Sequence, residues 1–271
     1  MNARALTLLC AFAVALAFAA PLKADHHTVD VMVTVESLVP AHGVYFTPVW
    51  VGFHNGNFDL FDIGSLAEPR VEHLAEDGNA DPLRADFTAV TSEAGGTDLV
   101  ITAPGGFAGA PIFDPGETSS AFITLSGAEH RYLSFASMII PSNDAFIGNH
   151  NPHAIEVFDA AGNFKGKQIY TILGSMVWDA GTELNTEMDA AFLNQTTPNT
   201  GVTTAAPVLP HPGFLGSYGN PGGEGLILGG INAAGTLIDP AGADFTLPYA
   251  VVARITVEHV PSNDMNMEDP Q

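Results

Sequence analysis

Val29, Val31, Val33 and Val35 alternate with polar or small residues. This period of two marks a strand with one buried face. Val49 to Phe53 predicts a second strand after Pro48, and Asn55-Gly56-Asn57 a tight turn beyond it. Further strands are predicted at Asp98 to Thr102, Ser120 to Leu125, Tyr132 to Ile140, Ile155 to Phe158, Gln168 to Trp178 and Tyr249 to Val257. The pattern changes between Ser65 and Asp77. There Ser65 and Glu68 fit a capping box, Val71 and Leu74 an apolar helical stripe, and Gly78 a helix end. Asp81-Pro82 predicts a second helical turn, with Leu83, Phe87 and Val90 on its apolar side. Glu183 to Leu193 predicts a brief helix after Gly181. Residues 196–230 are rich in Gly and Pro and read as a long loop carrying small strand pieces.

Strands outnumber helices throughout, and no repeat, heptad or linker divides the chain. The predicted class is all-β: one antiparallel sandwich over residues 28–260, with short helical insertions and long Gly/Pro-rich loops. Residues 1–24 read as a secretory signal, with Arg4, an apolar run from Ala5 to Ala20, and Leu22-Lys23-Ala24 before Asp25. Cleavage after Ala19 or Ala20 is the competing choice. The run falls short of the roughly 20 residues a membrane span needs. Residues 261–271 are polar and acidic and are expected to be disordered. The expected location is extracytoplasmic, secreted or periplasmic, with no membrane insertion after the signal is removed.

Composition sharpens this picture. Cys10, the one cysteine, lies in the signal, so a mature chain uses neither disulfides nor thiol chemistry. The formal net charge is −22, and setting aside Arg4 and Lys23 takes it to −24. Nucleic acid and anionic membranes are therefore poor partners and cations good ones. Only 14% of the residues are charged while 46% are hydrophobic, so the acidity belongs to a folded domain.

No G-x-S-x-G, phosphate-binding glycine loop or H-E-x-x-H occurs, and nothing in the sequence points to an enzyme. His150 and His153 are spaced for a borderline metal, but Pro152 between them breaks any helix and no third ligand is indicated. Oxygen ligands are better supported. The apolar run Tyr132 to Ile140 stops at Pro141 and is followed by Ser142, Asn143 and Asp144. A second apolar run ends the same way, in Trp178-Asp179-Ala180-Gly181-Thr182-Glu183. If the two strands are neighbours, Asp144, Asp179 and Glu183 converge, and three carboxylates with carbonyls and water suit calcium. Polar turns and unrelated surface acids account for the same residues. The acidic run Glu76 to Asp81 fits a helix end better than a calcium loop.

The succession of motifs resembles the spondin N-terminal domain, of F-spondin or mindin type, in a bacterial secreted form. The pieces stand in family order: VTVESLVP (33–40), FDLFDIG (58–64), LAEDGNADPL (74–83), FASMIIPSNDAFIG (135–148), WDAGTE (178–183), HPG (211–213) and YAVVARITV (249–257). The resemblance implies a sandwich similar to C2 domains, calcium held by loops at one end, and a role in adhesion or recognition rather than catalysis. It also implies that Asp144, Asp179 and Glu183 are the metal ligands. Glu183 stands where the animal relatives carry Asp, and Asn143 where Pro is commoner. The expected partner is an extracellular or cell-surface protein or glycan. A carbohydrate- or surface-polymer-binding module is the alternative, with Phe214 and Tyr218 as candidate contacts. A metal-dependent secreted hydrolase is the third reading.

Overall fold

Among the described residues eleven strands and three short helices follow in the order β1 (Thr28–Ser37), β2 (Tyr45–Phe46), β3 (Val49–His54), α1 (Pro69–Asp77), α2 (Asp81–Thr91), β4 (Thr97–Ile101), β5 (Thr118–Ser126), β6 (Tyr132–Ile140), β7 (Ala145–Gly148), β8 (Gln168–Leu173), β9 (Val177–Asp179), β10 (Leu209–Pro210), α3 (Pro240–Ala243) and β11 (Val251–His259). The computed structural model describes residues 28–105, 111–198 and 200–261. The expected signal at residues 1–24, and the expected disordered tail at 261–271 apart from Pro261, lie outside the described residues.

The strands form two antiparallel sheets. The smaller runs β5-β1-β11-β8; the larger runs β10-β9-β7-β6-β3-β4, with β2 also on β6. The alternating valines behave as the pattern requires. Val31, Val33 and Val35 of β1 point inward with Ile255 and Val257 of β11, and meet Val51, Phe53, Leu133 and Phe135 of the larger sheet in one core. The result is an all-β sandwich.

The larger sheet is buried on its other face too. There Trp50, Ala136, Phe146 and Trp178 pack against Val71 and Leu74 of α1 and Leu83 and Phe87 of α2. Double burial explains why β3 and β6 are continuous apolar runs rather than alternating ones. Each such side chain taken fully from water contributes about 1.5–3 kcal/mol. Trp50 places its one polar atom on Asp98, donating from Nε1 at 2.9 Å.

Several expectations are corrected. The capping box at Ser65 is absent: α1 starts at Pro69, whose fixed φ suits the first helical position, and Glu68 is its N-cap without a side-chain bond. Val90 is 50% exposed, so the apolar side of α2 rests on Leu83 and Phe87. Ile155 to Phe158 forms isolated bridges, Glu156 to Tyr132 and Phe158 to Phe164, instead of a strand. Gln168 to Trp178 is two strands. A 3₁₀ turn at Gly174–Met176 carries the chain from β8 in the smaller sheet to β9 in the larger. Glu183 to Leu193 is not helical. Leu184 bonds Val202, Ala191 bonds Ser142, and Glu187, Asp189 and Phe192 all have positive φ. Long-range bonds there override local helix propensity.

Candidate metal centre

Sheet register brings the two acidic turns together. Asp144 ends the turn between β6 and β7, and β7 pairs with β9 so that Ala145 faces Asp179. The two apolar runs are therefore joined through β7, and Asp144 and Asp179 sit at adjacent strand ends. The Ala180 amide also donates to the Asp144 carbonyl at 3.2 Å. The turn is not a surface loop: Ser142, Asn143 and Asp144 are 1%, 3% and 0% exposed.

Asp144 is held by one oxygen only. Oδ2 accepts the Thr182 amide at 2.9 Å, the Glu183 amide at 3.0 Å and the Thr182 hydroxyl at 3.3 Å. Oδ1 is buried and has no partner among the described residues. Burial raises this carboxyl from 3.8 to about 7; the Asp179 charge adds to the rise, and the Glu183 and Thr182 amides oppose it. Gly181 makes the second turn possible. Its φ is +70°, and a Cβ there would lie 2.4 Å from the Ala206 carbonyl oxygen.

The neighbouring acids are also shifted upward. Asp179 accepts the Gly181 amide at 2.8 Å and the Asn185 side chain at 2.6 Å, yet burial raises its pKa. Glu183, 4% exposed, accepts Asn143 Nδ2 at 3.3 Å and is likewise raised, first by burial. Gly201 closes over it: a Cβ there would fall 2.0 Å from Glu183 Oε2. Glu76, on the last turn of α1 and 4% exposed, is raised to about 7 by burial and by the charges of Glu183, Glu72 and Asp144, against a bond from the Thr182 hydroxyl.

Among the described residues no Lys or Arg pairs with these acids. Arg70, Arg84, Arg131, Lys165, Lys167 and Arg254 pair with Glu68, Asp98, Glu156, Glu156, Glu258 and Glu36 respectively. A buried carboxylate without a counter-charge must take up a proton or attract a cation. Asp144, Asp179 and Glu183 do lie in one region, but among the described residues no three His, Cys, Asp or Glu side chains stand ready-placed to hold a metal ion. Asp179 and Glu183 spend their oxygens on hydrogen bonds. The donor set fits a hard cation in chemical type, and the orphaned Asp144 Oδ1 is the atom best fitted to receive one.

Glu76 and Glu187 escaped the sequence reading of the site, and Asn143 does more than mark its oxygen-rich turn. Glu76 was hidden in a stretch that reads as a helix end. Asn143 links the turns: its Oδ1 accepts the Glu187 amide at 2.9 Å while Nδ2 reaches Glu183 and the Met188 carbonyl. Glu187, 3% exposed, accepts the amides of Leu215, Leu226 and Ile227 at 2.7, 2.5 and 2.9 Å. It clamps the Gly/Pro-rich loop to the acidic turns, and no local pattern announces it.

The other candidates separate. His150 packs on Phe61 and Trp178, and His153 on Tyr132. Phe214 is 3% exposed, wedged between His211 and Phe245, so its ring belongs to the core rather than to a ligand surface. Tyr218 is 66% exposed.

A sandwich whose acidic turns meet at one end of the larger sheet, with the Gly/Pro-rich loop clamped beside them, defines a loop-ended β-sandwich module. The spondin N-terminal family model (Spondin_N) matches residues 37–212, more than half of the sequence, and the chain belongs to that family. No curated protein matches it. Among the described residues no helix is long and apolar enough to cross a membrane.

Proposed function

We propose that the chain is a secreted recognition module whose loop end is pinned by a divalent cation, calcium by ligand type. The observation that carries this is Asp144, wholly buried, with Oδ1 unpartnered and no base among the described residues to neutralise it. Asp144 supplies that oxygen. Asp179 and Glu183 reach the ion by exchanging hydrogen bonds for metal contacts, and backbone carbonyls and water complete the shell of 6–8 oxygens. The cation removes the repulsion among the acids. Asn143 and Glu187 pass the resulting order to the loop that contains Leu215 and Leu226.

Hard oxygen ligands and the absence of cysteine in the described chain disfavour zinc. Titration calorimetry of chelator-treated protein with calcium tests the reading. Binding heat with a raised melting temperature is expected; no heat and no shift at millimolar calcium sinks it.

A further inference from the structure

His211 follows β10 and is 7% exposed. Its ring lies edge-on to Phe214 and Phe245. Burial holds the imidazole down to about 4, so at neutral pH it is uncharged and carries one ring N–H. Nδ1 accepts the Gly213 amide at 3.0 Å, which leaves that hydrogen on Nε2. Nε2 is buried and has no partner among the described residues. Buried donors in folded proteins are met by protein acceptors or by ordered water.

A cavity of about 10 Å³, the room of a single water molecule, is lined by His211 with Asn143, Asn185, Glu187 and Gly213 among others. Three of these residues hold the acidic turns. Asn185 Nδ2 donates to Asp179 at 2.6 Å, and Asn143 Nδ2 donates to Glu183 at 3.3 Å. Glu187 donates its amide to Asn143 Oδ1 at 2.9 Å. Acceptors are to spare: Asn185 Oδ1 has no bond among the described residues, and Glu187 Oε1 takes the Leu215 amide alone. The His211 N–H repels a cation and the Glu187 carboxylate an anion, so the occupant is neutral. Water fits that volume, accepting from Nε2 and donating to the spare oxygens.

We propose that this cavity binds one water molecule, and that His211, acting through it, is a positioning residue for the cation site. The second half rests on the cation reading; the water site stands without it. The link is an exchange of partners. To reach an ion, Asp179 and Glu183 must leave the Nδ2 groups of Asn185 and Asn143. Asn143 is 3% exposed, so its freed amide hydrogen cannot turn to solvent, and a stranded donor opposes metal binding. The water has two acceptor sites. One takes the His211 N–H, and the other takes an Asn amide hydrogen as the carboxylate departs. His211 keeps that acceptor in place. Outer-shell hydrogen bonds of this kind tune metal affinity through the groups that hold the ligands.

The first arm of the test uses chelator-treated protein. A high-resolution crystal structure should place a water about 2.7–3.2 Å from His211 Nε2. Nitrogen-15 spectra should show the Nε2–H tautomer with a cross-peak to a long-lived water. A cavity without water density, or a proton on Nδ1, would overturn the site. The second arm compares His211→Phe with His211→Gln. Phenylalanine keeps the ring packing on Phe214 and Phe245 and removes the donor; glutamine loses the ring and presents an N–H in its place. Urea unfolding in chelator should rank the Phe variant above the Gln variant. Calcium affinity by calorimetry should rank them the other way, about tenfold below wild type for His211→Phe and within about threefold for His211→Gln. Affinity that follows stability, or wild-type affinity in His211→Phe, would make His211 a core residue only and overturn the positioning role. If wild type itself takes up no calcium, the cation reading falls and the positioning role with it, while the first arm still decides the water site.

Discussion

Asp144→Asn separates the carboxylate's charge from its shape. In calcium-free protein, burial takes the Asp144 carboxyl from 3.8 to about 7, about three units at about 1.4 kcal/mol each, or about 4 kcal/mol of disfavoured charge. A carboxyl raised in the fold holds its proton more tightly there than in the unfolded chain. Its contribution is fully present below pH 3.8 and is lost as pH rises through about 7. Asparagine cannot ionise and keeps an oxygen for the Thr182 and Glu183 donors. It also puts an amide NH₂ where Oδ1 has no partner, at about 1–3 kcal/mol. In chelator at pH 8 the variant should therefore match or exceed wild type by up to about 3 kcal/mol, and at pH 4 it should fall below it. In calcium at pH 8 that advantage should shrink or vanish. At a hundredfold excess over Kd, wild type gains about 2.7 kcal/mol by mass action and the variant little of it. Urea unfolding at each pH, with and without calcium, reads all four corners. The difference between the proteins is the quantity to follow, because His54 and His211, both held down to about 4 by burial, lose stability as pH falls below 6.5 in either protein. A variant clearly weaker than wild type in chelator at pH 8, or one with an undiminished calcium gain, would refute the reasoning.

Glu187→Ala strands three amide donors, that of Ile227 buried and those of Leu215 and Leu226 part-buried, and should destabilise the fold by at least about 1–3 kcal/mol in urea, with exchange of Leu215, Leu226 and Ile227 accelerated first. Gly181→Ala, at φ +70° and 2.4 Å from the Ala206 oxygen, should lower the melting temperature and weaken calcium binding together, since it displaces the Asp144 donors. His211→Phe should flatten the loss of stability between pH 6.5 and about 4, because the buried imidazole with its depressed pKa is removed. An unchanged acid limb in that variant would show that another group controls it.

The strands with one buried face were legible because alternation is a local property, as in Val31, Val33 and Val35. Asp144 and Asp179 were located because each follows an apolar run into a turn, although only the β7 pairing brings the two turns together. Four features depend on distant partners and leave no local trace. The break at Gly174 lets one apolar run serve two sheets, and the backbone there approaches so closely that a Cβ would fall 1.8 Å from the Phe245 carbonyl oxygen. The stretch from Glu183 to Leu193 has helical composition, but its amides are taken by Asn143, Ser142 and Val202. Phe214 reads as an exposed aromatic in a polar loop, yet Phe245, far along the chain, buries it. Glu76 faces inward because α1 lies across the larger sheet, an orientation set by tertiary packing.

The most direct test is a crystal structure of the protein grown in calcium. The cation reading predicts one ion with Asp144 Oδ1 at about 2.3–2.6 Å, Asp179 or Glu183 turned out of its present hydrogen bonds onto the same ion, and carbonyls or water completing the shell. A structure at millimolar calcium in which Asp144 Oδ1 still touches no cation, or in which the ion sits at the other end of the sandwich, would contradict it.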